Sequence, residues 1–309
     1  MKQLLISIVA LSLLWSCSSR DQKETVVDSP TSGELTIAVD EALKPLIEAE
    51  ITTFNSLYKG AHVRAFYVSE ETALDTLFKD SVRMAIVARK LIPAELDIIK
   101  QKKIKPVEVK AALSGIALLV NPQNPDTAIT VDDFKRILKG EIKTWKQLDK
   151  KLPDQPISVV FDQPNSGMIK YLNDSLLELK SLPPNCFAVD SNAAVVDYIS
   201  KNQFAIGLID VAWISDRDDA TTNKFLASAK VMALSDGGEF VQPYQAYISL
   251  GQYPLVRDVM MVSQEGRSGL ATGFITFVAS NKGQLIVLKS GLVPATMPVR
   301  IVDVTRKPL

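Results

Sequence analysis

The sequence predicts an α/β protein whose strands and helices alternate around parallel or mixed sheets. Three observations carry that reading. Short apolar β-type runs recur along the chain, stretches of helical periodicity separate them, and no internal repeat of fixed period is visible. A length of 309 residues suits one large domain or two lobes of ordinary size.

The elements follow in order. Residues 35–39 (LTIAV) read as a strand, and residues 42–57 as a helix with Leu43, Leu46, Ile47, Ile51 and Phe54 at helical spacing. Residues 62–68 (HVRAFYV) alternate and are β-branched, so they read as a strand; residues 70–78 are helical; residues 84–88 (MAIVA) form a buried strand. A new block opens with the strand at 115–121 and closes on the turn-forming Pro122-Gln123-Asn124-Pro125. Thr130 is placed to cap a helix over 131–138. Residues 157–161 (ISVVF) form a strand, and Asn165-Ser166-Gly167 precedes a helix over 168–179. Ligands of such sheets sit beyond the carboxyl ends of strands, near helix N-termini. That rule singles out three junctions, at 39–42, 68–72 and 161–168.

Composition narrows the chemistry. Lys plus Arg and Asp plus Glu both total 35, a zero balance that argues against a nucleic-acid binder. A single His removes most hydrolase triads and nearly all zinc sites. His62 lies in an alternating strand and reads as structural. Cys17 and Cys186 make neither a CxxC motif nor a disulfide framework, and Cys186 reads as an inert buried thiol. No cofactor or metal is expected.

The amino terminus carries an address. Lys2 and the apolar run 4–14 make residues 1–16 a secretory signal, too short to span a bilayer as a mature helix. Leu14-Trp15-Ser16-Cys17 resembles a bacterial lipobox, which makes Cys17 the lipidated first residue of a protein held to a membrane by acyl chains. Residues 18–33 are polar and aperiodic, and read as a tether.

In their order, GIALLVNPQNP (115–125), FKRILKGEIKTWKQL (134–148), AIGLIDVAW (205–213), YPLVRDVMM (253–261) and FITFVASNKGQLIVLKSGLVP (274–294) make the chain resemble the phosphate-type solute-binding proteins of ABC transporters. The resemblance runs from Gly33 to Pro298. It implies a two-lobed periplasmic-binding-protein fold of type II, with a ligand cleft between lobes joined by two crossover strands. It places lobe one at 34–113 plus 251–309 and lobe two at 114–250, with motion absorbed near Ser114 and Leu250. It also implies a small-molecule ligand (phosphate or another small anion), an ABC permease as partner, a monomer, and a place in the bacterial envelope, periplasmic or at the cell surface.

Carried over position by position, the resemblance nominates Glu41, Ala42, Ser69, Arg83, Arg89, Asp162, Asn165, Ser166, Gly167 and Met168 as ligand-binding residues. Several depart from the family pattern. The small hydroxyl cluster after the first strand is replaced by Asp40-Glu41-Ala42. The family's D-I-A-x-x-S-R reads Arg83 to Arg89 here, with Arg83 for the Asp and Ala88 for the Ser. The lobe-two motif R-x-x-x-S-G-T reads Asp162 to Met168, with Asp162 for the Arg and Met168 for the Thr.

These exchanges have a sign. A carboxylate at a helix N-terminus satisfies the same N–H groups that would hold an anion, so Asp40 or Glu41 could occupy the anion site itself. Like charges about 4 Å apart cost several kcal/mol at an effective dielectric of about 20, which disfavours a dianion. Arg83 and Asp162 read as a reciprocal swap able to pair across the cleft. The expectation is a binding protein whose pocket is retuned to another ligand or degenerate. Two alternatives stand beside it: an envelope interaction or sensor module with a vestigial cleft, and an enzyme using Ser166 as nucleophile. The enzyme lacks a motif for its base, so the chain is expected to bind and not to react.

Overall fold

The computed structural model describes residues 28–174 and 183–299. The predicted signal, Cys17, most of the predicted tether and the end of the helix predicted over 168–179 lie outside those residues.

In chain order the elements are β1 (Ser32–Asp40), α1 (Lys44–Leu57), β2 (Gly60–Val68), α2 (Glu70–Phe78), β3 (Met84–Val87), α3 (Pro93–Gln101), β4 (Val107–Val120), β5 (Ala128–Thr130), α4 (Val131–Leu138), α5 (Trp145–Leu148), β6 (Ser158–Phe161), α6 (Gly167–Leu172), β7 (Cys186–Ala188), α7 (Asn192–Lys201), β8 (Ala205–Asp210), α8 (Ala220–Ser228), β9 (Lys230–Val231), β10 (Ala233–Ser235), α9 (Gln245–Ser249), β11 (Val256–Ser263), α10 (Leu270–Ala279), α11 (Asn281–Lys289) and β12 (Val293–Pro294). The sheet path is β2-β1-β3-β11-β4-β8-β6-β7. Pairs β1–β2, β1–β3, β8–β6 and β6–β7 are parallel, whereas β11 and β8 run antiparallel to β4.

The 14-residue β4 joins the two halves. Its stretch up to Gly115 pairs with β11, and from Ile116 onward it pairs with β8. The polar first half, Val107 to Lys110, hid this length, because only the apolar second half reads as a strand from sequence. β11 returns the chain to the first half, and the Tyr253 hydroxyl donates to the Ile116 carbonyl at 2.6 Å just before it.

Alternation in β1, β3 and β11 covers both faces of the first lobe's sheet. Leu35, Ile37, Val39, Met84, Ile86 and Met261 pack into one cluster with Phe54 and Phe274; Ala38, Ala85, Val87, Met260 and Val262 pack into another with Leu74 and Leu77. Each such buried side chain contributes about 1.5–3 kcal/mol. Two predicted boundaries move. The first helix breaks into a 3-10 turn at Glu41–Leu43 and α1, because Pro45 in the first helical turn has no N–H to continue a ladder. The tether ends sooner than predicted, since Asp28 already bonds Arg83 and β1 starts at Ser32.

Candidate functional site

The carboxyl ends of β1 and β6 face one another where the two halves of the sheet meet. The 3-10 turn at Glu41–Leu43 touches the matching turn at Val211–Trp213 after β8. Four carboxylates (Asp40, Glu70, Asp162 and Asp210) and the guanidinium of Arg257 are buried there, none more than 2% exposed.

Each helix start at this junction is capped by its own side chain. Asp40 accepts from the Ala42 N–H at 3.2 Å, Ser69 from Thr72 at 3.3 Å, and Ser166 from Met168 at 3.1 Å. N–H groups that could have faced an anion are therefore partly occupied. The Glu70 carboxylate lies beside Gly167 at the start of α6 and accepts from the Ala88 N–H at 3.3 Å and from Arg89 Nε at 2.7 Å. A Cβ on Gly167 would stand 2.5 Å from Glu70 Oε2, so a larger residue there would push that carboxylate aside.

The two lobes are bridged directly. Asn192, first residue of α7, donates from its backbone to Glu41 Oε2 at 3.4 Å and from Nδ2 to the same oxygen, and also reaches Asp162 Oδ2 at 3.4 Å. Asp210 accepts from Ser114 Oγ at 2.5 Å, from the Ala212 N–H at 3.0 Å and from Arg257 Nη2 at 2.5 Å. Burial raises the Asp40 carboxyl well above the usual carboxylate range; Arg257 opposes that rise, and Glu70 and Asp162 add to it. Burial also raises Asp162 and Glu41. For Arg257, burial works against the charge, but Asp210 and Asp40 outweigh it and the guanidinium is held charged.

Not every polar group here is satisfied. Asp40 Oδ2, Asp162 Oδ1, Asn192 Oδ1, Arg257 Nε and Arg257 Nη1 are buried without a protein partner. Such atoms are rare in folded proteins and costly, and here they cluster between the lobes. A cavity of about 530 Å³ lies beside this cluster between α2 and α6, lined among others by Glu70, Glu71, Asn165, Ser166, Lys170 and Asp174 but not by Asp40, Asp162, Asn192 or Arg257. A larger hollow of about 700 Å³, lined in part by Ile214, Leu226 and Tyr244, has none of the junction residues in its walls.

The structure thus gathers Glu41, Ala42, Ser69, Asp162, Ser166, Gly167 and Met168 around one junction, with Asn165 exposed at its mouth. Two arginines already have protein partners. Arg83 precedes β3, at the opposite end of that strand from the junction, and bonds Asp28, Glu265 (2.8 Å) and the Glu34 carbonyl (3.1 Å). The expected Arg83–Asp162 pair is not formed, because a full strand length separates Arg83 from the cleft. Arg89 does reach the cleft edge, but Nε bonds Glu70 at 2.7 Å and both terminal nitrogens bond Glu95 at 2.8 Å. It positions Glu70, and four of its five N–H groups are committed to Glu70, Glu95 and the Lys90 carbonyl.

Arg257, Asp210, Glu70 and Asn192 were not nominated from sequence. A signal existed for the first two: a lone Arg in the apolar run 255–262 and an Asp ending the apolar run 205–210 are the charges that such strands bury only in pairs. Among the described residues no cluster of His, Cys, Asp and Glu is arranged to hold a metal ion.

Comparison with known proteins agrees with this architecture. A family model described as the PBP superfamily domain matches residues 25–282. The chain is 27% identical over 274 residues to the phosphate-binding protein PstS of Bacillus subtilis, covering 87% of this chain and 83% of that one. It is 24% identical to PstS of Borreliella burgdorferi, covering 93% and 96%. Its fold matches the crystal structure of a putative phosphate ABC transporter substrate-binding protein with bound phosphate from Clostridium perfringens, with a TM-score of 0.73, 23% identity and coverage of 85% and 100%. With two lobes, two crossing strands and a polar junction between them, the chain belongs to the PBP superfamily.

Proposed function

We propose that this protein is an extracytoplasmic solute-binding lipoprotein of a phosphate-type ABC uptake system. It captures a small oxyanion between its lobes as a monomer and presents it to a membrane permease without chemical change. The observation that carries this reading is the set of unpartnered buried donors and acceptors at the lobe junction, with Arg257 at its centre. The names of the relatives support the ligand class. The lipobox-like segment ending at Cys17 supports the anchor, and among the described residues no helix is long and apolar enough to cross a membrane.

One observation favours a second reading, a cleft retuned away from phosphate or vestigial. The buried carboxylates of Asp40, Glu70 and Asp162 already crowd the junction and disfavour a dianion there. Calorimetry of the purified full chain against inorganic phosphate, arsenate, sulfate and methylphosphonate decides between them. Phosphate binding at micromolar or tighter dissociation constants supports phosphate capture; binding of another oxyanion alone supports retuning. No binding of any of them between pH 5 and 8 overturns oxyanion capture.

A further inference from the structure

Within the solute-binding reading above, on which this step rests, the side chain that meets the ligand's charge remains to be assigned. We infer that Arg257 is that side chain: a bound oxyanion accepts from one of its idle donors, Nε or Nη1, so the counter-charge is carried by the crossover strand β11 and by neither lobe's binding loops.

Elimination of the other cations supports this. Arg83 is at the far end of the first lobe. Arg89 has its nitrogens committed to Glu70, Glu95 and the Lys90 carbonyl. Lys170 is exposed and pairs with Asp174, while Lys44 pairs with Glu48 and lies over the Tyr67 ring. The position where the family's lobe-two motif has its Arg is held by Asp162.

Arg257 is the opposite case. Its side chain is 1% exposed, and its single hydrogen bond runs from Nη2 to Asp210. Nε and Nη1 have no protein acceptor. Nε–H and Nη1–H lie on different edges of the guanidinium plane, so each idle donor offers an N–H to a single oxygen of a phosphate or phosphonate group. The nearby carboxylates do not fill that role: Asp40 and Asp162 feel the charge of Arg257 without bonding it, and each keeps an unpartnered oxygen. The junction therefore offers donors from one side and acceptors from the others. That fits an oxyanion carrying at least one O–H, such as hydrogen phosphate or a monosubstituted phosphonate.

The location has a mechanical consequence. Arg257 pairs in register with Ser114, and both reach Asp210 at the start of the second lobe. An anion on Arg257 shares its guanidinium with Asp210, so ligand charge is felt at the strand about which the lobes move.

The test is calorimetric titration with inorganic phosphate. Arg257→Gln alone would strand Asp210, so it is combined with Asp210→Asn, which leaves a neutral amide pair, and compared with Asp210→Asn alone. The double variant should bind phosphate at least 100-fold more weakly than Asp210→Asn. Affinities within threefold of one another, with both proteins melting cooperatively, overturn the assignment to Arg257 and leave solute binding intact. If the double variant does not fold, Arg257→Lys decides: it keeps the charge beside Asp210 and loses the idle guanidinium donors. At least a tenfold loss of affinity is expected from it, and an unchanged affinity overturns the inference. A parent chain that binds no oxyanion overturns the underlying reading as well.

Discussion

Two arginine–carboxylate clusters sit at opposite ends of β3 and obey different rules. At the base of the first lobe, Arg83 meets Asp28 and Glu265, Arg267 adds a second bond to Asp28 at 2.9 Å, and Glu265 Oε2 accepts from Gly269, Thr272 N–H and the Thr272 hydroxyl. Partial burial would raise Asp28, yet the bonds from Arg83 and the Leu270 N–H outweigh it and hold the carboxyl below its usual range. At the cleft, Asp40 and Asp162 are raised instead, and three carboxylate or amide oxygens and two guanidinium nitrogens lack partners. One cluster is finished by the chain itself and holds the fold. The other is incomplete in the folded chain, which is what a ligand site requires and a structural pair does not.

The largest effect that could break this contrast is on stability. Arg257→Met removes the only cation bonded to Asp210 among the described residues and leaves buried carboxylates uncompensated, a change that costs about 3–5 kcal/mol in comparable buried pairs. Urea unfolding at pH 7 should show it. The loss should shrink in acid, because Asp40 and Asp162 are raised and take up protons there. A loss below about 1 kcal/mol would mean the cleft charges are solvated, contrary to their burial.

A buried acid without any arginine sharpens the point. Glu50 on α1 is 0% exposed, both its oxygens lack partners, and burial pushes its carboxyl up to about 9. A folded value above the unfolded one means stability that is complete below the unfolded value and lost as pH rises toward 9. Glu50→Gln removes that loss. The two proteins should unfold with similar free energies near pH 4, and the variant should lead by about 3 kcal/mol at pH 7, from 1.36 kcal/mol per unit of displacement. Parallel stability curves from pH 4 to 8 would show that Glu50 is not held in a dry core.

The same contrast explains what the sequence could reveal. Strand and helix order was legible because Leu35 to Val39, Met84 to Val87 and the 70–78 helix carry clean periods, and burial on both sheet faces enforces them. The junctions were legible for a similar reason: Ser69, Thr130 and Ser166 are local caps, and capping needs only neighbours in sequence. The pairing of charges was not. Arg83 matches a motif position by spacing, but the motif says nothing of which strand end is wet. Arg257 and Asp210 are 47 residues apart, and their contact exists only because β4 brings β11 and β8 to its two edges. Long-range charge partners follow from topology, and topology was only implied by family resemblance.

The smallest effect is the most discriminating, because it asks whether the finished cluster is silent toward ligand. Arg83 is about a third exposed, so its pairs are partly screened by solvent and salt. Its loss leaves Glu265 with three remaining donors and Asp28 with Arg267 and the Leu270 N–H. Arg83→Ala should therefore cost only about 1 kcal/mol, and less in high salt. Phosphate affinity of that variant should stay within threefold of the parent, since a strand length lies between Arg83 and the junction. A tenfold change in affinity without a matching loss of stability would mean that charge at the base reaches the cleft. The division between a structural cluster and a binding cluster would then fail.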